Sequence, residues 1–218
     1  MTGGQSTAPL AHPWRGMIPV LAVFMVLPIL TELALTLADL GVIGTPRLRA
    51  RAYQYGAFWA GLLDNWRPNY AAQPQTMFVT YSFLHANLWH LTGNMIAFVV
   101  LLQLLRNRLW GWRFVLVYAG SAVGGALGFA FLGTALNPMV GSSGALFGLA
   151  GAWKWLDWSV IPGRRRRALI AARDVAVLAA LNLVMWLTEG GALAWEAHLG
   201  GFVAGAALMA ALRRAPDQ

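Results

Sequence analysis

Residues 138–153 read PMVGSSGALFGLAGAW, and the fold is decided at their centre. Pro138 and Gly141 mark an irregular approach. From Ser143 the chain carries Gly144, Ala145, Leu146, Phe147, Gly148 and Leu149, an apolar run with no breaker other than small glycines. The spacing predicts a helix that starts at Ser143 and runs to about residue 160. A hydroxyl thus stands at the mouth of an apolar helix. This is not the nucleophile elbow of soluble hydrolases, whose Gly-x-Ser-x-Gly would need glycine at 145, where the chain has Ala145.

Outward from this stretch the apolar pattern repeats. A membrane-spanning helix needs about 20 mostly apolar residues. Six candidates appear, at about 17–40, 88–105, 114–132, 143–160, 174–188 and 195–212. The expected architecture is an all-α polytopic membrane protein, a six-transmembrane-helix bundle forming a single membrane domain over residues 1–218. The first stretch is too long for a signal peptide and reads as a span that stays. Some spans are short, which implies a thinned bilayer or helices that start below the surface. Composition agrees: of 218 residues, 58% are hydrophobic and 11% charged, against about 25% charged in a soluble domain. There is no cysteine, which excludes a disulfide scaffold, a thiolate nucleophile and cysteine-ligated zinc.

The net charge of +8 sets orientation rather than a nucleic-acid partner. Arg15, Arg106, Arg108, Arg113, the run Arg164 to Arg167, Arg173, Arg213 and Arg214 all fall on one side of a six-span path. The positive-inside rule makes that side cytoplasmic, with both termini there. Lys154 lies near the same face and can snorkel. Arg47, Arg49, Arg51 and Arg67 run against the rule, in a first external loop of about 45 residues. That loop holds FWAGLLDNWRPNY and MFVTYSFLHANLW, aromatic-rich stretches expected to lie partly in the membrane interface. Glu32, well along the first span, is expected to face the bundle or the interface and not lipid.

Polar groups inside a membrane are costly and are functional or well paired. His90, Asn94, Ser143 and His198 stand out. Each alone is explained by packing or a helix–helix hydrogen bond; together they compose a hydrolytic site. A serine hydroxyl needs a base, and histidine is the usual one. Glu196 lies two residues from His198 and points elsewhere on a helix, so a dyad of Ser143 and His198 is expected, without an acid. The Ser143 N–H in the first helical turn lacks an intrahelical partner. With side-chain donors from His90 and Asn94, one turn apart on one helix face, it can meet a developing oxyanion. Gly141 and Gly144 permit close approach of a substrate backbone. Glycines 120, 124 and 128, then 144 and 148, then 201 and 205, let helices pack closely.

These motifs resemble the rhomboid family of intramembrane serine proteases, from about Arg51 to Ala210. The family's Gly-x-Ser-Gly reads Gly141-Ser142-Ser143-Gly144; its His-x-x-x-Asn reads His90 to Asn94; its last-helix histidine reads His198-Leu199-Gly200-Gly201. The resemblance implies cleavage of membrane proteins in or near their transmembrane segments, with Ser143 as nucleophile and His198 as base. His90, Asn94 and the Ser143 N–H form the implied oxyanion hole. It also implies that His85 is structural and that the Phe147 ring, at a position often tyrosine, packs on the catalytic histidine. The implied partners are transmembrane substrates, membrane lipids and water. No cofactor, metal or nucleic acid is implied, and the expected location is a bacterial inner membrane. A Trp-Arg pair frequent in the family is replaced by Thr76 and Met77. The alternatives are an inactive rhomboid-like protein that binds membrane clients and, further off, a small channel or transporter.

Overall fold

The computed structural model describes residues 18–133 and 136–214, which form eight α-helices. These are α1 (Ile18–Asp39), α2 (Leu48–Gly56), α3 (Gln73–Thr80), α4 (Leu88–Leu105), α5 (Trp112–Leu132), α6 (Ser143–Ser159), α7 (Arg164–Thr188) and α8 (Trp195–Arg214). Five of them, α1, α4, α5, α7 and α8, are long and apolar enough to cross a membrane. The sixth expected span, α6, is a helix in the expected place. At 17 residues it is the shortest of the six, and its first turn, Gly144 to Leu146, is buried in the bundle. Arg15 and the ends of the chain lie outside the described residues.

The helix boundaries follow local chemistry. Asn87 caps α4, its side chain accepting from the His90 N–H at 2.9 Å. Gly163, with φ +80°, turns the chain into α7. That helix begins at Arg164, ten residues before the expected start at 174. The apolar pattern missed these turns because arginine is a good helix former, and a run of four does not interrupt the ladder.

α5, α6 and α8 form the centre, and glycine sets their spacing. A Cβ on Gly201 would lie 1.9 Å from the Gly144 carbonyl oxygen, and one on Gly205 would lie 1.9 Å from that of Gly148. On the other flank, a Cβ on Gly200 would lie 2.4 Å from the Gly124 oxygen. Backbone therefore rests on backbone along both seams of α8. Below, Phe98, Leu105, Phe114, Val117 and Leu149 fill a buried apolar core, with α4 packed on the same cluster. Leu30, Val100, Phe131 and Leu183 point outward and are exposed, as a lipid-facing surface requires.

The first loop is more deeply seated than an interfacial reading expects. Trp66, Tyr55, Tyr70 and Trp89 are exposed and suit a headgroup layer, but Phe58, Met77 and Tyr81 are fully buried. They pack with Ala126, Phe129 and Met139 as a second core. The loop folds as α2, α3 and two short 3-10 turns, with part of its apolar set turned into the bundle. Met77, in place of the arginine of the family pair, is one of those core residues. Thr76 hydrogen-bonds the Tyr70 hydroxyl at 2.7 Å.

The loop arginine that ran against the charge rule is paired. Arg49 meets both Glu32 oxygens at 2.8 and 2.9 Å and Asp39 at 2.6 Å. Glu32 is fully buried, so it faces the bundle as expected. Lys154 does not snorkel alone: it pairs with Asp174 at 3.1 Å and sits over the Trp153 ring at 4.0 Å.

Candidate active site

Ser143 is the first residue of α6, and His198 lies in the first turn of α8. The close glycine seam brings these two helix starts together. His198 Nε2 stands 2.8 Å from Ser143 Oγ, within the reach a base needs. His198 is buried, and Phe147, one turn along α6, stacks on its ring with centroids 4.1 Å apart and planes within 8° of parallel. The expected neighbours are therefore gathered, including the ring packing. Among the described residues, no hydrogen bond or ion pair joins Glu196 to the imidazole. Instead Asn182, on α7, places Oδ1 2.6 Å from His198 Nδ1.

The approach to Ser143 is held by the first loop. Phe58 and Met139 exchange two backbone hydrogen bonds, at 3.0 and 2.9 Å, and the Gly141 N–H donates to the Tyr81 carbonyl at 3.0 Å. Tyr81 in turn donates its hydroxyl to the Ala122 carbonyl on α5 at 2.8 Å. Gly141 takes φ +115°, a conformation that side chains disfavour. Space excludes a side chain there too: a Cβ would lie 2.7 Å from His90 Cε1, 2.9 Å from His90 Nε2 and 3.6 Å from Asn94 Nδ2. His90 and Asn94 thus converge over the Gly141 backbone, two residues before Ser143.

Both are poised to donate. The Ala86 N–H points at His90 Nδ1 at 3.4 Å, which makes Nδ1 the acceptor and leaves the proton on Nε2. Asn94 Nδ2 is buried without a hydrogen-bond partner among the described residues. An orphaned buried donor is costly, and a substrate oxygen or a water that met it would offset that cost. His85 packs edge-on against His90 with centroids 5.2 Å apart. Its carbonyl accepts from Tyr53 at 2.7 Å and Arg49 at 3.0 Å, which ties the site to the Glu32 cluster. Burial, with His90 nearby, lowers the His85 imidazole to about 3, so the ring is neutral; its two nitrogens, like Asn94 Nδ2, have no hydrogen-bond partner among the described residues.

Beside the pair lies a cleft of about 560 Å³, bounded by Phe147, Leu178, Asn182, Trp186, His198 and Leu199. Its walls are mostly apolar, with His198 and Asn182 supplying polar atoms.

Such a fold and site define a helical integral membrane protein with a serine–histidine pair at adjoining helix starts. A family model described as Rhomboid domain matches residues 72–215, and the chain belongs to the rhomboid family. It is 34% identical over 137 residues to Rhomboid-like protease 3 of Toxoplasma gondii, covering 60% of this chain and 49% of that protein. It is 29% identical over 149 residues to RHOMBOID-like protein 6, mitochondrial, of Arabidopsis thaliana, covering 66% and 46%. With Rhomboid protein 1, mitochondrial, of Saccharomyces cerevisiae the identity is 33% over 138 residues, covering 57% and 38%. The chain matches half or less of the length of these relatives. No solved structure gives a significant match.

Proposed function

We propose that this protein is an intramembrane serine endopeptidase that hydrolyses peptide bonds in or near transmembrane segments of other membrane proteins. The observation that carries the reading is the 2.8 Å approach of His198 Nε2 to Ser143 Oγ. The orphaned Asn94 donor supports it. Ser143 Oγ attacks the scissile carbonyl carbon while His198 takes its proton. The carbonyl oxygen gains charge and meets the Ser143 N–H, His90 Nε2–H and Asn94 Nδ2–H, donors fixed before the reaction begins. Collapse breaks the C–N bond, and His198 returns the proton to the leaving amine. A water, deprotonated by the same imidazole, then attacks the acyl ester; the Oγ–C bond breaks, and His198 returns the proton to Ser143 Oγ.

The apolar cleft suits the side chains of a transmembrane segment, and the polar site suits its backbone. The arginines between α4 and α5, at the start of α7 and at the end of α8 support a cytoplasmic side for those segments. Arg49, which runs against that count, is held at its place by Glu32 and Asp39. A fluorophosphonate tests the site chemistry. It should label the purified wild type at Ser143, lose all labelling in S143A and most of it in H198A. Equal labelling of wild type and S143A would dismiss Ser143 as the nucleophile.

A further inference from the structure

α7 touches the bundle along one narrow stripe. Of its 25 residues only Asp174 is buried; Leu178, Asn182 and Met185, at spacings of four, four and three, follow it on the same face. Asp174 is held by Lys154 and by the Trp158 indole at 3.2 Å. Asn182, two turns on, is the polar residue in the apolar run Val175 to Leu187, and its partner is His198. A polar side chain at that depth needs a reason.

We propose that Asn182 is a positioning residue for His198, a neutral third member of the relay. This rests on the protease reading above. The orientation of its amide carries the argument. Nδ2 donates to the Leu178 carbonyl one turn back, at 3.4 Å, and this turns Oδ1 toward the imidazole. An amide oxygen can only accept, so His198 Nδ1 must carry the ring proton. Nε2 then presents its lone pair to Ser143, the tautomer that can take the serine proton. The reverse amide would favour Nε2–H, which aims a donor at Ser143 Oγ and blocks proton transfer.

The remaining ring contacts leave this task to Asn182. Phe147 covers one face of His198 without polar atoms, and Ser143 occupies Nε2. In soluble triads an aspartate does the same job, fixing tautomer and orientation. A carboxylate at this depth would be expensive to bury, whereas an amide carries no charge. Orientation by Asn182 therefore suits a membrane site better than orientation by an acid.

The test compares kcat and KM of wild type, N182L, N182A and N182D in the same lipid. Rates are counted per folded enzyme, quantified from the monodisperse fraction of the purified protein, a measure that does not depend on His198. Leucine keeps the branched shape of asparagine, suits an apolar helix and lacks the acceptor. N182L and N182A should both lose about 10- to 100-fold in kcat, about 1.4–2.8 kcal/mol, with KM within about twofold. N182D, which keeps an acceptor, should recover most of the loss. N182L at the wild-type kcat would make Asn182 mere packing and overturn the proposal, as would N182D no better than N182L. If N182D does not accumulate, N182L against wild type decides. S143A runs alongside: cleavage by S143A sinks the protease reading itself, whereas an inactive S143A with a fully active N182L sinks only the role of Asn182.

Discussion

Gly205→Ala tests whether the glycine seam, and not just the dyad residues, sets the reaction. The new Cβ would lie 1.9 Å from the Gly148 carbonyl oxygen, 2.5 Å from its carbon and 2.7 Å from its Cα. All three atoms are backbone, so no side chain can rotate away. An ordinary C···O contact needs at least about 3.3 Å, so α6 and α8 must part by roughly 1.4 Å. Overpacking of this kind costs about 1–3 kcal/mol. Gly205 lies seven residues beyond His198, about 10 Å along α8, close enough for the strain to reach the helix start. A parting that reaches it stretches the 2.8 Å Ser143–His198 contact toward roughly 4 Å, beyond proton-transfer range. A misplacement of about 1 Å can cost about 100-fold in rate. We expect G205A to accumulate in the membrane, unfold at lower temperature and react with a fluorophosphonate at least about 100-fold more slowly. G120A is the milder case, since its Cβ meets only the tip of the Leu208 side chain, which can turn aside. Wild-type labelling rate and unfolding temperature in G205A would refute the argument that backbone contact at this seam aligns the dyad.

Other outcomes follow from single contacts. Asn94→Ala removes one oxyanion donor and should lower turnover about 100- to 1000-fold with unfolding temperature unchanged; unaltered turnover takes Asn94 out of the mechanism. Glu32→Leu strips Arg49 of its buried partner and should cost about 3 kcal/mol, read as a lower unfolding temperature; full stability would rule out a structural role for Glu32. Phe147→Ala should lower kcat about tenfold by freeing the imidazole, and F147L should recover less than F147Y, a ranking that side-by-side cleavage rates check. His85 is held down to about 3 when folded and returns to about 6.5 when unfolded, so the unfolded chain binds more protons between those values. Stability from this group is therefore full above about pH 6.5 and is lost as pH falls toward 3. His85→Phe should flatten that slope in thermal unfolding; an unchanged slope would mean that His85 does not titrate on unfolding.

The positions that the structure gathers were legible because their chemistry is out of place in a membrane. Ser143, His198, His90 and Asn94 each break an apolar pattern, and their spacing put them at helix starts or on one helix face. The packing of Phe147 came from the family resemblance, and its place one turn along α6 from Ser143 agrees with it. Asn182 broke the pattern too, as an amide inside LAALNLVMWL, but a search for an acid beside His198 passes over a neutral residue on another helix. Glu32 and Arg49 were both conspicuous, one as a buried acid and one as a misplaced cation. Their pairing spans 17 residues and a change of helix, which linear spacing does not encode. The first loop was read least well. Its aromatic residues have no clean period, and whether Phe58 and Tyr81 face lipid or core depends on α5 and Met139, which only the folded chain brings near.

The central claim is that Ser143 cleaves membrane-embedded peptide substrates. The most direct measurement incubates a single-span membrane protein with purified wild type or S143A in the same lipid vesicles and follows the fragments by mass spectrometry. The account predicts fragments cut in or beside the transmembrane segment with wild type and none with S143A. Equal fragment yield from the two enzymes would contradict it.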